Sequence, residues 1–374
     1  MRPSTRAQAE PTLIAPAPEA GPTAKPVSTR GISSPRVLSD LFWLGRYAER
    51  AENMARLLTV TRERYHEFRH RPDAEGGVCV PVLLTALDRL TGTDIGGPDV
   101  VAAAPATLRS LTVDPTRAGS LAQSVQRLGQ AARSVRDQMS NDTWMVLGGV
   151  ERVLAQLSRQ RADGVVTPAD DAALASAQAR TLSGMLALSG VAAESVVRDV
   201  DWTMTDIGKR IERGLWLATL LRATLATARN PSADRTIIES VLVACESSVI
   251  YLRRNVGTFS VSGVADLVLF EVENPRSLSY QLDRLRANLK KLPGASGSSR
   301  AARLVDEIST PLRRLDPGDL ETTDAHGQRT ELAELLDAMT GGLRDLSAVI
   351  TTTQLSLPGS MQPLGGPGRR RLMP

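Results

Sequence analysis

The chain has 374 residues, 42% of them hydrophobic but only 3% aromatic, and a formal charge of +4. A sizeable core is within reach, but with so few rings it must be built from Leu, Val, Ile and Ala, which suits packed helices better than a β-sandwich. The basic balance sits in the ends, with Arg2, Arg6, Lys25 and Arg30 against Glu10 and Glu19 in residues 1–34, and Arg369, Arg370 and Arg371 in residues 356–374; the body is slightly acidic, so the basic face of a nucleic-acid binder is missing from it.

Residues 1–34, rich in Pro, Ala, Thr and Ser, are expected to be a disordered tail, and 356–374 a second, basic one, leaving a single helical domain over 35–355. Within it, apolar periodicity predicts a long helix from Pro35 to His70, ending before Pro72, and a shorter one from Pro81 to Leu90. GGPDVVAAAP reads as a loop. Ser120 then caps a helix through Met139, and Asn141 or Asp142 caps the next, through about Arg161. Pro168 opens a helical region reaching Ala228, with Gly190 the place for a kink. Further helices are expected over roughly 233–252, 263–272, 275–292, 298–314 and 330–353, and VGTFSVSGV at 256–264 is the only strand candidate. The expected fold is all-α: a single large bundle of long antiparallel helices.

Two of these helices are related. Residues 41–58 read LFWLGRYAERAENMARLL and residues 204–221 read MTDIGKRIERGLWLATLL, so Gly45 aligns with Gly208, Arg46 with Lys209, Glu49 with Glu212 and Arg50 with Arg213. The 163-residue offset is far longer than a solenoid period, so two related Glu-Arg helices in one domain are expected rather than an array. At 100° per residue, Phe42, Arg46, Glu49, Asn53 and Arg56 share a narrow sector, flanked by Gly45 and Glu52. One copy alone reads as an amphipathic surface helix with pairs such as Glu52–Arg56. In the second copy Trp216 and Leu215 join Lys209 and Glu212, while Asp206, Arg210 and Arg213 line another sector. Charge on several sides, mixed with Leu and Trp, suits a central helix whose charges pair inside the bundle. The two Glu-Arg pairs are therefore expected to meet around a common polar centre.

A third cluster is NPRSLSYQL at 274–282. With Asn274 as N-cap and Pro275 at N1, Arg276 falls at N2, where a cation opposes the helix dipole. Either an anionic ligand or a protein carboxylate, Glu271 or Glu273, must favour it there. Arg133–Asp137 is a further i,i+4 pair, and YLRR at 251–254 another basic stretch.

Cys79 and Cys245 show neither metal spacing nor a disulfide framework, the N-terminus shows no secretory pattern, and no apolar run reaches 18 residues. A cytoplasmic protein with no membrane contact is the expectation. HEFRH at 66–70 fits the H-E-x-x-H zinc pattern, with Glu67 as base. Arg64, Arg69 and Arg71 crowd it and Pro72 follows at once, so a chance arrangement is the expected reading and no functional metal is expected there.

Taken together, LFWLGRYAERAENMARLL (41–58), ARSVRDQMSNDTW (132–144), ESVVRDVDWTMTDIGKRIERG (194–214) and NPRSLSYQL (274–282) resemble the alpha-E family, bacterial all-helical domains named for a recurrent Glu-Arg pair. The resemblance covers about residues 36–355. It implies a place beside a circularly permuted ATP-grasp ligase, fused or encoded nearby, and beside transglutaminase-like proteins, and hence a role in ATP-dependent amide-bond formation or peptide modification. It implies no established catalytic residue and no cofactor. This chain has no ATP-grasp portion, so the ligase would be separate. Lys209 stands where the family usually has Arg, and YLRR is less basic than the family's version.

On these grounds the expected function is an accessory, substrate-handling one, with an anionic ligand in an Arg/Glu-lined cleft. Arg46, Arg50, Arg213 and Arg276 would meet a carboxylate or phosphate with their guanidinium forks. Glu49 and Glu212 would orient them or bind an amine, and Asn53 and Arg210 complete the candidate ligand-binding set. A metal-dependent hydrolase at HEFRH and a purely structural scaffold are the alternatives.

Overall fold

Side-chain caps set where the helices start. Ser34 accepts a hydrogen bond from the Val37 backbone N–H, Pro35 fills the first helical position, and α1 runs Pro35–Phe68. The computed structural model describes residues 33–71, 74–93, 100–160, 167–293, 295 and 299–355. The expected C-terminal tail, 356–374, and residues 1–32 of the expected 1–34 tail lie outside them, as do Pro72, Arg161 and the GGPD part of the expected loop; Ser33 and Ser34 are described, the latter as the cap of α1. After α1 come α2 (Cys79–Thr91), α3 (Ala104–Val113), α4 (Leu121–Ser134), α5 (Asn141–Arg159), α6 (Pro168–Glu194) and α7 (Val200–Thr224). Then follow α8 (Pro231–Ala244), α9 (Ser248–Arg254), α10 (Val261–Ala265), α11 (Leu278–Leu289), α12 (Arg300–Leu312) and α13 (Thr330–Gln354). Among the described residues there is no strand, only an isolated bridge between Thr227 and Gln328.

Several local expectations change. The stretch expected as one helix from Pro168 is two helices: α6 passes Gly190 and ends at Glu194, and Asp199 restarts the chain by accepting from Trp202 N–H at 3.0 Å. Glu194, at the end of α6, and Arg198, in the link, therefore do not share a helix with Lys209 and Glu212. The end of the expected loop instead starts α3, with Pro105 in its first turn. The strand candidate forms no strand: its last residues, from Val261, enter α10, capped by Ser260 and continued by a wider π turn over Asp266–Phe270. Residues 233–252 split where Glu246 takes a left-handed conformation, φ 53°. Ser140, not Asn141, caps α5 by accepting from Thr143 N–H. Helix α4 stops at Ser134, so Arg133 pairs with Glu151 at 3.2 Å rather than with Asp137.

The repeat extends beyond the two Glu-Arg helices. Helices α4, α5 and α6 open at Leu121, Asn141 and Pro168; α11, α12 and α13 open at Leu278, Arg300 and Thr330, within a few residues of the same offset. The packing repeats too. In the first half α4 and α6 pack on α1 and α5 packs on α6; in the second α11 and α13 pack on α7 and α12 packs on α13. Helices α1 and α7 then pack on each other more extensively than any other pair. The described residues from Ser33 onward thus form two related half-bundles joined through their central helices.

Both central helices are covered on nearly every side, which accounts for their mixed sequences. Leu57 and Leu58 of α1 and Ile211 and Leu220 of α7 are fully enclosed, each such side chain contributing about 1.5–3 kcal/mol of burial. The polar sector of α1 is buried as well: Glu49, Glu52 and Asn53 are at most 2% exposed. A solvated amphipathic surface helix is excluded.

Candidate functional site

The crossing of α1 and α7 is set by two glycines. A Cβ on Gly45 would collide with the carbonyl oxygen of Thr205, and a Cβ on Gly208 with that of Phe42. Phe42 and Thr205 are themselves separated by the repeat offset, so the contact is reciprocal, as at a two-fold axis. Only glycine lets the two backbones approach this closely.

One turn further on, the Glu-Arg pairs exchange partners across the axis. Arg213 donates from Nε and Nη2 to the two oxygens of Glu49 at 2.6 and 2.7 Å. Its counterpart Arg50 donates from Nε and Nη2 to those of Glu212 at 2.6 and 3.0 Å. Arg46 adds a bond to Glu212 at 2.7 Å and one to Ser347 on α13 at 2.9 Å. Asn53 donates to Glu49 at 3.1 Å. Burial alone would push the Glu49 carboxyl up, but Arg213, helped by Lys209 and Arg276, holds it at about 2. Glu212 is likewise held low, Arg50 and Arg46 outweighing its burial. The expected common polar centre is present, and it is a closed set of two-pronged ion pairs.

The remaining candidate residues extend this centre. Arg210 binds Asp206 at 3.0 Å and Gln281 at 3.1 Å, and Asn288 donates to Asp206 at 2.7 Å. Arg276 reaches Glu52 at 2.6 Å, and Arg56 donates to the same oxygen at 3.3 Å and also pairs with Glu246. The placement expected for Arg276 is corrected: Ser277 caps α11, accepting from Tyr280 N–H at 3.1 Å, so Arg276 precedes the helix. Asn274 instead caps the turn before it, accepting from Arg276 N–H. Neither expected acid is its partner; Glu271 is held by Arg254 at 2.7 Å.

Around this centre the seven cations Arg46, Arg50, Arg56, Lys209, Arg210, Arg213 and Arg276 outnumber the five carboxylates that pair with them, the buried Glu49, Glu52, Asp206 and Glu212 and the exposed Glu246. Lys209 is the odd member. Its counterpart Arg46 binds Glu212, but Lys209 makes no salt bridge; its Nζ lies 3.4 Å from Ser189 Oγ on α6. Burial and the nearby Arg213 lower its pKa, against the pull of Glu49. Lys209 and Glu49 both line a cleft of about 360 Å³ between α1, α4, α5, α6 and the start of α7. Sequence reasoning left Lys209 out of the candidate set; its alignment with Arg46 was the available signal.

At HEFRH, Glu67 is bound by Arg64 at 2.6 Å and His66 by Asp171 at 2.8 Å. Helix α1 ends at Phe68, so His70 lies beyond the register that would bring both imidazoles to one ion. Among the described residues no group of three or more His, Cys, Asp or Glu is placed to hold a metal, and no helix is long and apolar enough to cross a membrane. Cys79 and Cys245 are buried and free, and burial pushes both thiols up to about 12.

A duplicated helical bundle clasped by reciprocal Glu-Arg pairs defines the class of protein. The chain belongs to the Alpha-E family, described as a predicted alpha-helical domain with a conserved ER motif, whose model matches residues 34–355. Its relatives include an uncharacterized protein of Mycobacterium bovis and uncharacterized proteins of two Mycobacterium tuberculosis strains, each 60% identical over all of this chain. The chain spans only 43% of the length of each. No solved structure matches it.

Proposed function

We propose that the chain is a substrate-handling module of an ATP-grasp-dependent amide-bond-forming system, holding an anionic ligand for a ligase carried on another domain or chain. The observation that carries this reading is the surplus of cations within the ion-pair set at the α1–α7 crossing, one of which, Lys209, lines an open cleft together with Glu49, Asp199 and Asp201. Such a surplus in a poorly solvated place favours an added negative charge. Binding fits better than acid–base chemistry at the Glu-Arg pairs: a carboxylate held at about 2 stays ionised at neutral pH and is a weak base. The pairs themselves serve as the clasp between the half-bundles. The greater length of the mycobacterial relatives supports a module that works joined to further protein. A transglutaminase-like protein is a second candidate companion.

The test is affinity capture from native cells after mild cross-linking, with mass spectrometry of what is retained. An ATP-grasp protein recovered reproducibly, and lost when surface residues of this chain are altered, is the expected result. Repeated capture without any ATP-grasp protein would overturn the ligase part of the reading.

A further inference from the structure

The repeat symmetry fails at one pair of positions, and the failure coincides with the cleft. Arg46 turns to Glu212 and closes its half of the ion-pair set. Lys209, at the equivalent place, leaves Glu49 to Arg213 and Asn53 and reaches toward Ser189 across the cleft. Glu49 has its third bond already: both its oxygens accept from Arg213, and Asn53 supplies the further bond that Arg46 supplies at Glu212. The walls around Lys209 are mostly apolar, formed by Leu44, Leu128, Leu147, Leu188 and Trp202 among others. The three carboxylates that also line the cleft are engaged elsewhere, Glu49 by Arg213, Asp199 by the Trp202 backbone N–H and Asp201 by the Ser33 hydroxyl. The orientation of Trp202 is fixed by its ring N–H, which donates to the Ala192 carbonyl at 2.8 Å. Val196 and Val197, between α6 and α7, line the cleft while remaining 41% and 77% exposed, so it communicates with solvent.

We propose that this cleft binds an amphiphilic carboxylate, its acid group on the ammonium of Lys209 and the Ser189 hydroxyl, its hydrocarbon body along the apolar walls. This names a ligand class for the anion-handling role above and rests on that role, but not on the ATP-grasp partner. An ammonium in a half-closed apolar space favours a monoanion that brings its own hydrocarbon cover. A multiply charged phosphate would leave most of its oxygens against aliphatic walls. Lys209 is the one cation among the described residues that line the cleft, and an ammonium beside many apolar contacts, with the neighbouring carboxylates already bonded, suits such a molecule.

Octanoate, octanol and octylamine serve as probes, sharing a chain length and differing in head-group charge. Binding to the purified full chain is followed by calorimetry and by quenching of Trp202 fluorescence, with Trp202→Phe identifying that ring's share. Octanoate is expected to bind saturably and about tenfold or more tighter than octanol, with octylamine weakest. Lys209→Met should lower octanoate affinity about tenfold or more and leave octanol unchanged, while Lys209→Arg keeps the preference for the acid. Because Lys209 adds to a cation surplus, Lys209→Met should melt no lower than the parent, which separates lost binding from lost folding. Equal binding of the three probes, octanoate binding that survives Lys209→Met, or no saturable octanoate binding would each overturn the proposal. These outcomes leave the capture experiment untouched, and a failed capture leaves octanoate binding untouched.

Discussion

Glu49 and Arg213 hold each other through two hydrogen bonds, at 2.6 and 2.7 Å, across the axis that relates the two halves of the chain. The glutamate comes from one repeat and the arginine from the other, and Arg50 with Glu212 reverses the roles. Each half therefore carries both a donor and an acceptor for its partner, and these two Glu-Arg pairs close only across the halves. Burial makes this arrangement costly to break and of little net stability when complete.

Removing one member of the pair should thus be far worse than removing both. Arg213→Ala strands an ionised Glu49 and is expected to cost about 3–5 kcal/mol, whereas Glu49→Met with Arg213→Leu should come within about 2 kcal/mol of the parent. Urea unfolding of the parent, both single variants and the double variant gives the cycle. A double variant as unstable as the sum of the singles would show that the pair is not the unit described.

The glycine contact makes a prediction of the same reciprocal kind. Gly45→Ala and Gly208→Ala each place a methyl group into a backbone carbonyl of the other helix, with no flexible side chain to give way. About 3 kcal/mol or more of destabilisation is expected for each, at or above the usual range for overpacking. Because either change alone forces the helices apart, the double variant should lose clearly less than the sum. Strict additivity in denaturant titrations would argue against a shared crossing point.

The clasp was legible in the sequence because both copies kept it in register: Gly45, Glu49 and Arg50 against Gly208, Glu212 and Arg213 stand out in a composition otherwise dominated by Leu and Ala. The duplication of the other helices was only faintly legible, since SLAQSVQRL of α4 and SLSYQLDRL of α11 share just the capping Ser-Leu and a later Arg-Leu while occupying the same packing position. Cap chemistry misled where two candidates stood close together. Asn274-Pro275 reads as a helix start, yet the Asn side chain closes a turn and Ser277 opens the helix. The break after Glu194 carries neither Gly nor Pro, and its only signal was Asp199 as a cap. The cleft could not be read at all, because five helices distant in the chain supply its walls.

Arg276 tests whether a shared carboxylate tolerates the loss of one cation. Glu52 is 1% exposed and is held by both Arg276 and Arg56. Arg276→Ala leaves Arg56 in place and should cost about 1–3 kcal/mol, the range for a lost hydrogen bond to a charged group. Arg56→Ala with Arg276→Ala leaves Glu52 without a cation and should cost more than the sum of the two single losses. Thermal unfolding of the three variants decides. An unchanged melting temperature for Arg276→Ala would return that arginine to the candidate ligand-binding residues.

Acid should unfold the chain through the same pairs, with a direction that follows from Glu49. Its carboxyl is held at about 2 in the fold, against an ordinary value of 4.5 when the chain is open. A depressed carboxylate contributes stability that is fully present above the open-chain value and is lost as pH falls through the folded one. The window is therefore about pH 4.5 down to about 2, and Glu212, also held low, acts in the same sense. Glu49 sheds its contribution to stability progressively across that window. In Glu49→Gln the group no longer titrates, so the variant should start less stable at neutral pH and fall less steeply on acidification. Its stability should approach the parent's near the bottom of the window. Denaturant midpoints at steps of pH for both proteins measure the two slopes; parallel curves through the window would mean that Glu49 is not the group that couples folding to acid.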